Sequence, residues 1–150
     1  MSASVNRFFV NVEVAIARDG QYLTIVRGDQ EEYGAGWPGM PGGTVEWEHP
    51  TPDALEITAR REVLEEVDLD LDDMIVYVES HTFGDEAPCL DVVMLARLTP
   101  ATDEPFIASP GEVAELRWMS LHDILVDPRT QLWIWESLQR ADQLRACLNW

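Results

Sequence analysis

The segment Arg61-Glu62-Val63-Leu64-Glu65-Glu66 gathers three carboxylates beside one arginine. On a helix of about 3.6 residues per turn, Glu62, Glu65 and Glu66 fall within an arc of roughly 100° and stand side by side. Ile57, Val63, Leu64 and Val67 lie on the other side, so the helix is expected to bury one face and hold its acids in an open cleft. Like charges this close repel and raise one another's pKa unless a cation lies among them. Carboxylate oxygens are hard ligands, suited to Mg²⁺ or Mn²⁺ far better than to zinc. Glutamate is also a good helix former, and most acidic stripes are solvated faces. The residues around the stripe therefore decide its meaning.

Upstream lie a Pro41-Gly42-Gly43 turn, a strand-like Thr44-Val45-Glu46-Trp47 and a helix start at Thr51-Pro52-Asp53. With Arg-Glu-x-x-Glu-Glu following, the segment resembles the box of the Nudix hydrolases: Gly, five residues, Glu, seven residues, Arg-Glu, an aliphatic, any residue, Glu-Glu, any residue, Gly, aliphatic. Gly43 matches the first glycine, and Arg61, Glu62, Val63, Glu65, Glu66 and Leu69 match the second half. Asp53 holds the first acidic position, with the spacing of seven kept; a rival alignment through His49 would break that spacing. Nine residues separate Gly43 from Asp53, which reads as an insertion of four around His49-Pro50-Thr51-Pro52. Asp68 replaces the second glycine, at a position that closes the helix in a left-handed conformation that Asp can adopt. The resemblance extends to Trp37-Pro38-Gly39-Met40 and to residues 112 to 119, and so spans most of the chain.

The resemblance implies an α/β fold, the α/β/α sandwich with a mixed β-sheet between helices. It also implies a Mg²⁺- or Mn²⁺-dependent hydrolase that cleaves a pyrophosphate bond in a nucleoside diphosphate linked to another group. The implied ligands are Glu62, Glu65 and Glu66, with backbone carbonyls of the Gly42-Gly43 turn close by, since residues without side chains let the main chain approach. Glu65 is the first choice for accepting the proton of the attacking water and Glu112 the alternative. Arg27, at the end of a strand, is a phosphate-binding position in the family, and Trp37 and Phe83 are candidates to stack on a base. Asp53 and Arg61 lie about two helical turns apart and are expected to pair and steady the loop against the helix. The family pattern for NADH hydrolysis is missing after the box, as is the tyrosine of dinucleoside polyphosphate enzymes. Nucleoside triphosphates and ADP-ribose-like substrates remain. The alternative is a nucleotide-binding sensor without turnover, against which the three glutamates argue.

These residues need a scaffold. Residues 8 to 17 alternate as an apolar strand, Asp19-Gly20 signals a hairpin, and Tyr22 to Arg27 return. A loop from Gly28 to Gly43 is long enough to be functional. The helix of the box is expected from Pro52 to Val67 with Thr51 as its N-cap. Strands follow at Met74 to Phe83, Leu90 to Leu98 and near Ala114 to Met119, then a helix from about Pro128. Strands on both sides of a helix, with another helix at the end, suggest a mixed sheet between helices.

At 150 residues with no linker, the chain is expected to form a single domain, residues 1 to 150. No long apolar run or signal pattern appears, so a soluble, cytoplasmic protein is expected, with homodimer formation left open. Cys89 and Cys147 are too few for a disulfide framework and read as reduced packing residues. Asp68, Asp70, Asp72 and Glu79 imitate a calcium loop, but Asp73 stands where its sharp turn needs glycine. His49, His81 and His122 have no ligand spacing. The net charge of −18, from 28 acids against 10 basic residues that are all arginine, opposes polynucleotides and anionic membranes. The expected partner is a small nucleotide, its phosphates met by a metal and a few arginines.

Overall fold

The computed structural model describes residues 7–98 and 103–150. Its strands are β1 (Phe9–Arg18), β2 (Gln21–Arg27), β3 (Pro38–Gly39), β4 (Gly42–Thr44), β5 (Val76–Phe83), β6 (Cys89–Ala96) and β7 (Val113–Met119). The helices are α1 (Ala54–Val67), α2 (Leu121–Val126) and α3 (Leu132–Cys147). The strands form one mixed sheet of order β3-β2-β1-β6-β5, with β4 added to β1 and β7 to β2. β1 and β6 run parallel in register from Phe9↔Cys89 to Ile16↔Ala96.

Strand alternation explains why the sheet carries a helix on each face. Val12, Val14 and Ile16 pack with Ala59, Val63 and Val67 of α1. Ala15 and Ala17 of the same strand pack with Ile134, Leu138 and Ala141 of α3. Continued toward the start of β1, the second set reaches Glu13 and Asn11, where apolar packing gives way to a cleft. The hairpin turn is as expected: Asp19 and Gly20 both have positive φ, 50° and 74°. β1 pairs with β2 only at Ala17↔Tyr22 and Arg18↔Gln21. Beyond that the strands part, and β4 takes the place beside Asn11, Val12 and Glu13.

Several local expectations need correction. α1 starts at Ala54 rather than Pro52, and Asp53, not Thr51, is its cap, in the left-handed region at φ 54° with no side-chain cap bond. The strand after the glycine turn ends at Thr44, and Trp47 is exposed. The buried face of α1 is Thr58, Ala59, Val63, Glu66 and Val67, whereas Ile57 and Leu64 lie about half exposed. Only part of the apolar stripe meets the sheet, and one glutamate shares its buried side. Asp68 behaves as expected, closing α1 at φ 53° with its N–H on the Leu64 carbonyl, 3.1 Å away. The short α2, capped by Ser120, was not foreseen, and α3 begins at Leu132 rather than near Pro128. Both cysteines are free, but Cys147 is exposed rather than packed. Among the described residues, no helix is long and apolar enough to cross a membrane.

Candidate active site

Where β1 and β2 part, a cleft of about 690 Å³ opens between β4, α1, the loop after β2, the ends of β5 and β6, and the start of α3. Local sequence sets its acidic wall. A Cβ on Gly42 would collide with the Val12 carbonyl, and one on Gly43 would sit on the Glu62 carboxyl group. Only a Gly-Gly pair lets the main chain pass between β1 and the glutamates.

Glu66 is 5% exposed and accepts a hydrogen bond from the Gly42 N–H at 3.0 Å. Burial raises its pKa to about 8; the Gly42 bond opposes this, and the charges of Glu62, Glu112 and Glu31 add to it. Glu62 faces the same space and pairs with Arg61 at 2.6 Å. Its pKa is also raised, by burial first, with Arg61 pulling it down and Glu65 pushing it up. Glu112 lines the cleft from the segment before β7, its carboxylate accepting from the Ser109 hydroxyl at 2.6 Å. That segment is tied to the loop after β2 by Gly28 N–H to Glu112 C=O, 2.7 Å, and Gln30 N–H to Gly111 C=O, 3.3 Å.

Glu62, Glu66, Gly43, Glu112, Arg27, Trp37 and Phe83 all line this one cleft. Glu65 does not. Its side chain is 57% exposed and lies against Arg61 at 3.3 Å. The packing explains this: Glu66, not Glu65, falls on the side of α1 turned toward β4, so the arc of three acids divides. The expected Asp53–Arg61 pair is also absent. Among the described residues Arg61 contacts Glu46, Glu62 and Glu65, and donates to the Thr44 carbonyl at 2.9 Å, joining β4 to α1. Arg27 is engaged by Glu31 and by the Tyr33 carbonyl. Glu115 pairs with Arg117 and Arg129, away from the cleft.

The cleft also holds residues that sequence reasoning passed over. Asn11 donates to Asp91 at 2.7 Å across β1 and β6. Glu13 lies beside Asp91, and its pKa is held well above the usual carboxyl range by burial and then by the Asp91 charge; burial raises the Asp91 carboxyl as well. Tyr33, His81 and Trp133 complete the wall. The available signal was polar residues inside apolar strands, Asn11 and Glu13 in one and Asp91 in another.

A hard divalent cation suits this donor set. Gly43 leaves room at the Glu62 carboxyl, and Glu66 is buried among like charges with one N–H as the only hydrogen-bond partner of its carboxyl group among the described residues. Among the described residues, no three Asp, Glu, His or Cys side chains already close on a common point. The carboxylates surround a space instead.

A family model described as the NUDIX domain matches residues 8–141. Similar solved structures include a MutT NUDIX hydrolase from Burkholderia pseudomallei, 26% identical, at TM-score 0.74, with 90% of this chain and 98% of that one covered. A MutT protein from Methanosarcina mazei Go1 is 20% identical, at TM-score 0.73, with 95% and 99% covered. The NUDIX domain of Shewanella oneidensis NrtR, solved with ADP ribose, is 19% identical, at TM-score 0.69, with 97% and 91% covered. No curated protein matches the chain.

Proposed function

This chain belongs to the Nudix hydrolase family, and on that premise we propose that it cleaves the pyrophosphate bond of a nucleoside diphosphate linked to another moiety, with Mg²⁺ or Mn²⁺ as cofactor. The observation that carries this is Glu66, a buried carboxyl near the charges of Glu62 and Glu112 and, among the described residues, without an ion-pair partner. In this reading Glu62, Glu66 and the Gly43 backbone hold the cation. A cation held there would supply positive charge to offset that of the diphosphate and to polarise phosphorus.

The chain's own groups do the remaining work. Arg27 offers a guanidinium to a phosphate oxygen at the cleft wall. Glu112, solvent-accessible and oriented by the Ser109 hydroxyl, accepts the proton of the attacking water. Glu112 takes precedence over Glu65 because it faces the cleft, and proton transfer needs hydrogen-bond reach. Arg61 holds α1 against β4 and so keeps Glu62 facing Gly43. The solved structure with ADP ribose supports a substrate of ADP-ribose type, and nucleoside triphosphates share the linkage.

The test is release of nucleoside monophosphate or phosphate from nucleoside triphosphates and ADP-ribose, with Mg²⁺ and with chelator. Turnover that depends on the cation is expected for at least one compound. Tight binding without cleavage of any would replace the hydrolase with a sensor.

A further inference from the structure

Four aromatic side chains line the cleft together with the α1 carboxylates. Tyr33 and Phe83 face each other there with ring planes 22° apart and centroids 6.3 Å apart. Trp37 meets Tyr33 edge-on at 5.4 Å, and Trp133 meets Trp37 at 6.0 Å. These rings come from the loop after β2, the end of β5 and the start of α3. Tyr33 and Phe83 each keep about half their surface exposed, unlike the aromatic Tyr22 of the core. A planar ring sandwiched between two others needs about 7 Å between its walls, two contact distances of roughly 3.5 Å each. A small parting of Tyr33 and Phe83 admits one.

The floor beneath this slot is set by strand register. Asn11 lies opposite Asp91 on one side, and His81 lies opposite it on the other. Asp91 is 4% exposed, and the Asn11 amide N–H is turned onto it. His81 turns Nε2 onto the Glu79 carboxylate at 2.9 Å, and Glu79 is held in turn by the Ser137 hydroxyl at 2.6 Å. A carboxylate only accepts, so Nε2 carries the hydrogen and directs it away from the cleft. Asn11, Glu13 and Asp91 line the cleft, and the carboxyl oxygens of Asp91 have acceptor capacity beyond the one bond taken from Asn11. A group that covers these oxygens takes away their water, so one that brings N–H or O–H donors is favoured there. Guanine presents a ring N–H beside an amino group, two parallel donors that fit one carboxylate. Adenine and cytosine set their amino group beside a ring acceptor. Uracil sets its one N–H between two carbonyls.

Resting on the reading of this cleft as a nucleotide site, we infer that Tyr33 and Phe83 grip the substrate's base and that Asp91, with Asn11 and Glu13, selects a base with adjacent N–H donors, guanine among the common four.

The test uses uncharged guanosine, adenosine, cytidine and uridine without metal, so that neither phosphate nor cation contributes. Binding is followed by tryptophan fluorescence and saturation-transfer NMR. Guanosine should bind about tenfold or more tighter than uridine. Phe83→Leu should weaken all four alike, and Asp91→Asn, checked for folding by circular dichroism, should bring the guanosine-to-uridine ratio close to one. Equal binding of the four, binding of none, or an unchanged ratio in Asp91→Asn would overturn the inference. Cleavage of nucleotides without base discrimination would leave the hydrolase standing and remove this inference. Discrimination without cleavage would do the reverse.

Discussion

Glu66 and Glu79 are buried to the same depth, 5% and 6% exposed, yet their carboxyls are displaced in opposite directions. Burial raises both. At Glu66 it wins, because a single Gly42 N–H opposes it while Glu62, Glu112 and Glu31 reinforce it. At Glu79 burial loses to the Ser137 hydroxyl, His81 and Arg140, and the pKa ends below the usual value. The Glu79 charge is met by the fold, whereas Glu66 holds its proton up to about pH 8 unless a cation takes its place. On the proposed reading the difference marks Glu79 as a structural carboxylate and Glu66 as a candidate ligand, because strongly raised carboxyls in a cleft are candidates for function.

The largest expected effect breaks the pair apart. Glu66→Gln should lower turnover on the order of 100-fold while keeping or slightly raising the melting temperature without metal. Glu79→Gln should instead destabilise by about 3 kcal/mol, because Arg140 loses its ionic partner and meets an amide NH₂ in its place, while the Gln carbonyl can still accept from Ser137 and His81. Turnover assays and thermal melts on both proteins decide it. A Glu66→Gln enzyme within a few-fold of wild type would leave the two glutamates equivalent.

A second expectation concerns Mg²⁺ and pH together. A folded-state pKa of about 8 against an ordinary 4.5 means that Glu66 binds its proton more tightly in the folded protein. Its contribution to stability is therefore fully present below about 4.5 and is lost as pH rises through about 8, by at most about 1.4 kcal/mol per pH unit. The metal-free melting temperature should fall across that window more steeply for wild type than for Glu66→Gln. Saturating Mg²⁺, about 100 times its Kd, should restore about 2.7 kcal/mol to wild type alone and exceed NaCl of equal ionic strength. Parallel pH curves, or equal Mg²⁺ responses, would mean that the ion acts only as diffuse counter-charge to the −18 of the chain.

Much of this was legible in the sequence wherever a local rule decides. Asp68 takes the left-handed cap because its spacing marks the helix end, and Asp19-Gly20 turns because few other pairs accept positive φ twice. The match to the box located the glycine turn and the acids of α1. The misses arise where a distant partner decides. Helical periodicity could not say that α1 would turn Glu66 toward β4 and leave Leu64 half exposed, because that depends on which part of the sheet it meets. Asn11 and Asp91 lie 80 positions apart and become neighbours only through the parallel pairing of β1 and β6. Arg61 was matched to Asp53 by helical spacing, whereas β4 supplied nearer partners across the turn.

The smallest expected effect tests whether unmet burial is the right mark of function. Glu65 belongs to the same acidic run as Glu62 and Glu66, but its side chain is 57% exposed and its contact is Arg61, which keeps Glu62, Glu46 and the Thr44 carbonyl without it. An exposed pair of this kind contributes about 0–1 kcal/mol. Glu65→Gln should therefore leave the melting temperature within about four degrees and lower turnover by less than about tenfold, whereas Glu112→Gln should lower kcat more, without a matching rise in KM. Both variants are to be assayed with saturating Mg²⁺, so that a weakened cation site does not pass for a lost base. If Glu65→Gln proves as damaging as Glu66→Gln, exposure in the ligand-free cleft is no guide to function, and the helix must present Glu65 to the substrate after it binds. Rescue of Glu65→Gln at raised pH would then identify it as the proton acceptor, and Glu112 would return to holding its loop through Ser109.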